Sequence, residues 1–268
     1  MKPQESVALV TGASSGIGRE MARMLAAQKH PLVLVARGEA KLNELAAALR
    51  KEHDVPVWTF PLDLGTSSAA GALYEFTKQN NIEVELLINN AGVGLYGEHT
   101  TLSALQLGQM LQLNVTTLAE LCVLYGADMK SRSSGRILNI ASTAAYQPTP
   151  FFAAYGASKA FVLNFSEALA EELRDHNVTV SCLSPGPTDT GFFGDIDQRG
   201  LQIAHFSKSG RQDARAVAEL GLNTMRKGEL SRVVGFFNWV QAASARFAPR
   251  WVVAKFAKAL LRPATQGV

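Results

Sequence analysis

The chain has 268 residues, 47% hydrophobic and 18% charged, which is enough apolar content for a sizeable core and excludes a disordered chain. Its 26 basic and 23 acidic residues leave a net charge of +3, too weak a balance to indicate a nucleic-acid partner. Six of the basic residues and no acid lie from Leu230 onward, so a mildly acidic body carries a basic tail. The opening MKPQESVALVTG has no apolar core of a signal peptide, and the weakly polar run Val233–Ala245 is too short to span a bilayer. Cys122 and Cys182 are spaced for neither zinc nor a disulfide framework; free thiols in a reduced, cytoplasmic compartment are the expectation.

Short apolar runs alternate with long helical patterns along the chain. The runs are Val7–Val10, Leu32–Val35, Val57–Phe60, Leu86–Ile88, Arg136–Ile140, Val178–Leu183 and the weaker Arg232–Val234. Between them lie Gly18–Gln28, Ala40–Lys51, Ser68–Gln79, Ser103–Lys130, Phe152–Asp175 and Ala214–Arg226. Strands with so few polar residues suit a parallel sheet buried on both faces. The alternation predicts an α/β fold, a Rossmann-like doubly wound parallel sheet with helices on both faces. No linker divides the chain, so a single domain over residues 1–235 and a C-terminal helical tail over 236–268 are expected. Ligands of such sheets bind beyond the carboxyl ends of the strands, and those ends carry the informative residues.

After the first strand, glycines at 12, 16 and 18 permit a tight turn and a close approach to a pyrophosphate, with the next helix aiming its N-terminus at the anion. After the second, the carboxylate that would bind an NAD ribose is missing. Ala36-Arg37 stands there instead, and the arginine fork suits a 2′-phosphate, which favours NADP(H). After the third comes Asp63, either a turn residue or an acceptor for an adenine amino group. After the fourth, Asn89-Asn90-Ala91-Gly92 suits a tight backbone turn, either an ordinary one or one in close contact with a cofactor. After the fifth comes Ser142, and then Tyr155-x-x-x-Lys159, two residues on one helical face about 6 Å apart.

These motifs occur in order, together with Asn114 in Leu113-Asn114-Val115 and Pro185-Gly186-Pro187-Thr188-Asp189-Thr190. From Val7 to about Phe193 the chain resembles the short-chain dehydrogenase/reductase family. The resemblance implies hydride exchange between an alcohol and a carbonyl, with Asn114, Ser142, Tyr155 and Lys159 as the catalytic set. It further implies cofactor contacts from Gly12, Ser14, Ser15, Gly16, Ile17, Gly18, Arg37, Asp63, Asn90, Ala91 and Gly92. Tyr155, Lys159, Pro185, Gly186, Thr188 and Thr190 complete that set, Thr190 near the nicotinamide carboxamide. A homo-oligomer built on the two longest helices is implied as well.

A carbonyl that accepts hydride becomes an alkoxide and needs a proton, here from Tyr155. A charged Lys159 at that spacing is expected to favour the phenolate by roughly 3 kcal/mol, about two pKa units at an effective dielectric near 20. Ser142 would hold the substrate oxygen, and a local helix break at Asn114 would free backbone groups to hold a water for proton relay.

The leading expectation is an NADPH-dependent carbonyl reductase acting on an apolar ketone or aldehyde. Leu95, Tyr96, Phe151, Phe152, Phe192, Phe193 and Phe206 flank the expected mouth, which has no evident carboxylate-binding arginine. Two alternatives are an NAD(P)-dependent alcohol dehydrogenase running oxidatively, separated by cofactor preference, and a non-catalytic nucleotide-binding sensor or scaffold, separated by turnover. The tail pattern predicts two helices from Phe236 to Arg262 broken near Pro249. They are expected to cover the mouth or pack on a partner subunit, helped by the acidic body. The same pattern, basic on one helix face and apolar on another, also fits peripheral contact with an anionic membrane.

Overall fold

The computed structural model describes residues 6–193, 211–245 and 247–263. All seven apolar runs are strands: β1 (Val7–Thr11), β2 (Leu32–Ala36), β3 (Val57–Pro61), β4 (Val84–Asn89), β5 (Gly135–Ile140), β6 (Val178–Ser184) and β7 (Ser231–Val233). They pair in parallel throughout, in the order β3-β2-β1-β4-β5-β6-β7.

Successive strand residues point to opposite faces, and both faces are covered. Ala8 and Val10 meet one layer, with Met21 and Leu25 of α1 (Gly16–Ala27), Leu42 of α2 (Glu39–His53) and Leu222 of α7 (Ala214–Lys227). Leu9 meets the other, with Leu73 of α3 (Ala69–Gln79), Leu121 of α5 (Leu118–Ser131) and Val162 of α6 (Ala153–Arg174). The chain leaves β1 toward β2 and β3, then returns to β4 on the other side of β1. That reversal opens a crevice beyond the carboxyl ends of β1 and β4.

Two elements differ from expectation. β4 begins at Val84, two residues before the apolar run, because Glu85 is buried and bonded by Arg132 and the Ser134 hydroxyl. The long helix after it is interrupted: α4 (Ala104–Leu111) passes through a π-helical turn, Gln112–Thr117, into α5. Residues 104–131 are long and apolar enough to cross a membrane by length and composition. Leu118, Leu121, Tyr125 and Met129 of this stretch are instead buried in the sheet-covering layer.

After β7 come α8 (Phe236–Ser244) and α9 (Arg250–Leu261). Pro249 precedes the second helix and Pro263 follows it, where a missing N–H costs least and where a helix cannot continue.

Candidate active site

The turn after β1 is held from behind by β4. Thr11 Oγ1 donates to the carbonyl of Ile88 (3.2 Å) and accepts from the N–H groups of Asn90 and Ala91 (3.0 Å each). Asn90 Nδ2 donates to the Thr11 carbonyl at 2.9 Å. Gly12 and Gly16 have φ of +65° and +53°, a region that favours glycine. A Cβ at Gly12 would lie 2.8 Å from Asn90 Nδ2, and one at Gly16 2.7 Å from Thr190 Cγ2. Gly18 does not reach the crevice; it packs under the turn, against Gly12 and Asn90.

The first turn of α1 contains no acid, and its N-cap residue Ser15 makes no side-chain bond to it. Its backbone N–H groups are thus left for an anion, which is the fit a dinucleotide pyrophosphate requires. Arg37 stands exposed on the rim of the same crevice at the end of β2. Lys41, which the sequence reading missed, joins it one helical turn later, with Glu39 between them. Asp63 lines the crevice while its Oδ1 accepts the N–H of Gly65 (2.8 Å), so it is a turn residue and a wall residue at once.

Ser142, Tyr155 and Lys159 converge beyond β5. The Ser142 hydroxyl accepts the N–H of Ala144 (3.2 Å), capping a short turn, and both Ser142 and Tyr155 line the crevice. Lys159 is 4% exposed; its Nζ donates to the carbonyl of Ile140 (2.8 Å) and lies 5.9 Å from the Tyr155 ring centre.

The electrostatics differ from the expected lowering of the phenol. Burial pushes Tyr155 up to about 12, only partly offset by the neighbouring Ser142 hydroxyl, and burial brings Lys159 down to about 8. Desolvation penalises the charged form of both groups.

Asn114 is 1% exposed and does not line the crevice. Its Oδ1 accepts from the Val93 N–H (3.1 Å), and its Nδ2 donates to the Val93 carbonyl (2.9 Å) and to Ser158 Oγ (3.1 Å). With these bonds it ties the π-helical turn to the strand exit and to α6. The helix break was legible; the side chain's own role in this structure is to hold Val93.

The opposite wall is the segment after β6. Pro185, Gly186, Thr188 and Thr190 line the crevice, and the carbonyl of Pro185 accepts the Thr143 N–H (2.9 Å). Gln212 Oε1 accepts the N–H of Gly186 (3.1 Å), while its Nε2 donates to Val234. Asn238 of α8 packs so closely on Gly186 that a Cβ there would meet it. Neither Gln212 nor Asn238 carries a local sequence signal, because each acts through a contact made only on folding.

Leu95, Tyr96, Phe152 and Phe192 form an apolar end of the cavity. Phe192 packs on Tyr155 with ring centres 5.4 Å apart. Phe151 stands behind this wall and packs on Tyr96 at 6.4 Å. The side chain of Phe193 and all of Phe206 lie outside the described residues. Ala257, Leu260 and Leu261 of α9 close the same end. The whole cavity measures about 1210 Å³.

The profile of the short chain dehydrogenases matches residues 6–200. An uncharacterized oxidoreductase of Staphylococcus saprophyticus is 34% identical over 194 residues, covering 72% of this chain and 83% of the relative. A short-chain dehydrogenase from Sphingobium yanoikuyae, solved in complex with NADPH, superposes with a TM-score of 0.80 at 30% identity, over 90% of this chain and 94% of that one. The bulky-bulky ketone specific alcohol dehydrogenase from Comamonas testosteroni superposes at 0.77 and 29% identity, over 90% and 92%. The chain therefore belongs to the short-chain dehydrogenase/reductase family of oxidoreductases.

Proposed function

We propose that the protein is an NADP(H)-dependent carbonyl reductase acting on an apolar ketone or aldehyde. The observation that carries this reading is the convergence of three groups at the strand ends: Ser142, Tyr155 and Lys159 line one crevice, with Lys159 Nζ 5.9 Å from the Tyr155 ring centre. NADPH, when bound, supplies the hydride. The glycine turn and the first turn of α1 would hold its pyrophosphate, and Arg37 with Lys41 its 2′-phosphate. Ala91, Gly92, Pro185, Gly186, Thr188 and Thr190 would line its nicotinamide half. Ser14, Ser15, Ile17, Asp63 and Asn90 would complete the cradle, Gly18 and Asn90 by bracing the turn.

Ser142 positions the carbonyl oxygen and stabilises the charge that develops on it. A phenol raised to about 12 remains protonated at neutral pH, so Tyr155 is ready to deliver its proton in the reductive direction. Lys159, charged below about 8, stabilises the phenolate left behind. Asn114 acts as a positioning residue through Val93 and Ser158. The aromatic end of the cavity supports an apolar substrate, and the ketone specificity in the Comamonas protein's name agrees with a bulky one.

The test is NADPH oxidation with a panel of aldehydes, ketones and 3-oxoacyl compounds. Tyr155→Phe should bind NADPH as the parent does and lose orders of magnitude in kcat; near-normal turnover refutes the assignment. A preference for small charged oxoacids or free sugars refutes the apolar substrate.

A homo-oligomer is part of the same proposal. Leu105, Val123 and Phe161 are exposed apolar residues on α4, α5 and α6, and they supply a surface for a second copy. Sedimentation at micromolar concentration should show a dimer or tetramer; monomer alone refutes it.

A further inference from the structure

The tail helices spend little of their apolar surface on the body. In α9 only Ala257 and Leu261 are buried, and in α8 only Ala242. The large side chains point outward: Phe237 is 87% exposed, Trp251 65% and Phe256 68%, with Phe236, Trp239 and Phe247 also exposed. Phe236 stacks on Trp239 with ring centres 6.2 Å apart, so even the aromatic contacts within α8 are made at the surface. So many exposed aromatics in so short a segment are far from the scattered apolar residues of an ordinary surface.

Among the described residues, the charges of this segment form no ion pair. Arg250, Lys255, Lys258 and Arg262 are exposed; Lys255 lies over the Trp251 ring, 5.2 Å from its centre. At 100° per residue along α9, Lys258, Arg262 and Lys255 occupy one flank of the outward face, and Val252 and Phe256 the other. No acid occurs from Leu230 to the end of the sequence. The expected attraction of the basic tail to the acidic body is thus not realised in ion pairs.

We propose that α8 and α9 form a docking surface for an anionic lipid bilayer. Aromatic side chains flanked by lysine and arginine match the boundary between acyl chains and negative headgroups, where apolar burial and charge attraction act together. A second copy of this chain fits less well. A two-fold contact through these helices would set the basic flanks of two tails against each other with no acid of the tail to offset them. Asn238 and Gln241 of α8 and Leu260 and Leu261 of α9 line the active-site cavity, so docking would bring its tail-covered end to the lipid surface. The proposal does not depend on the catalytic reading, because binding is measured without turnover.

The experiment is co-sedimentation of the full chain with vesicles of phosphatidylglycerol and phosphatidylcholine, beside vesicles of phosphatidylcholine alone. The parent should bind the anionic vesicles, and raising salt from low to high should weaken binding by roughly tenfold or more. Lys255→Glu/Lys258→Glu and, separately, Phe237→Ser/Trp251→Ser/Phe256→Ser should each lower binding by at least about tenfold while the thermal unfolding midpoint stays within a few degrees of the parent's. Absence of binding to anionic vesicles overturns the proposal. So does binding that both variants retain. If the parent ignores vesicles and the aromatic variant lowers its oligomeric state, the surface is a contact between copies and the lipid assignment is wrong.

Discussion

The phenol of Tyr96 donates a 2.8 Å hydrogen bond to the backbone carbonyl of Leu261, 165 residues further along the chain. Tyr96 leads out of the β4 loop and Leu261 ends α9, so this bond fastens the tail across the apolar end of the cavity. Burial pushes the phenol up to about 12, which keeps it a donor at any ordinary pH.

Tyr96→Phe keeps the ring against Phe152, 4.8 Å away, but leaves the Leu261 carbonyl without this donor. The expected cost is about 1–2 kcal/mol, concentrated in the docking of α9 rather than in the sheet. Hydrogen exchange should rise in residues 250–261 and remain at parent levels in β1, β4 and β5. KM for an apolar carbonyl should rise with kcat nearly unchanged. Exchange that is unaltered in α9 would show that the bond does not hold the tail.

Cofactor choice should follow the β2 rim. Arg37→Ala removes a charge-assisted contact worth about 1.5–3 kcal/mol and should raise KM for NADPH roughly tenfold or more, with KM for NADH little affected. Lys41→Ala should have the same direction and a smaller size, since an ammonium on a helix start offers a point charge rather than a fork. Steady-state kinetics with both dinucleotides check this. A parent enzyme that prefers NADH would overturn the assignment of the rim.

The pH dependence follows from Lys159. Its buried ammonium is brought down to about 8, so it is charged below that pH and neutral above it, while Tyr155, pushed up to about 12, stays protonated across the same range. For carbonyl reduction, kcat/KM should therefore be level on the acid side of about pH 8 and fall on the alkaline side with limiting slope −1, since this ratio reports the free enzyme. Lys159→Arg should move the fall to higher pH, because a guanidinium does not titrate there. A profile level to pH 10 in the parent would exclude Lys159 as the controlling group.

Much of the architecture was legible because the first six runs carry few polar residues and alternate with long helical patterns. Leu32–Val35 and Val178–Leu183 admit little but buried parallel strands, and the glycines after Val10 mark where the backbone must turn. The helix break around Asn114 was also readable, although its side chain proves to be consumed by Val93 and Ser158. Lys41 was missed for want of weight: a lysine in a helix's first turn is ordinary until folding places it, with Arg37, on the wall of one crevice.

Local pattern by itself determined the order of strands and helices, the crevice where Ser142, Tyr155 and Lys159 meet, and the tail as two helices split at Pro249. Periodicity and strand-end chemistry act over a few residues, so they survive in a linear reading. The tertiary structure decided what depends on distant partners: that Gln212 and Asn238 brace the loop at Gly186, and that Leu261 closes on Tyr96. It also decided that burial, rather than the neighbouring ammonium, sets the Tyr155 phenol. Desolvation is a property of everything packed around a group, and no spacing along the chain contains it.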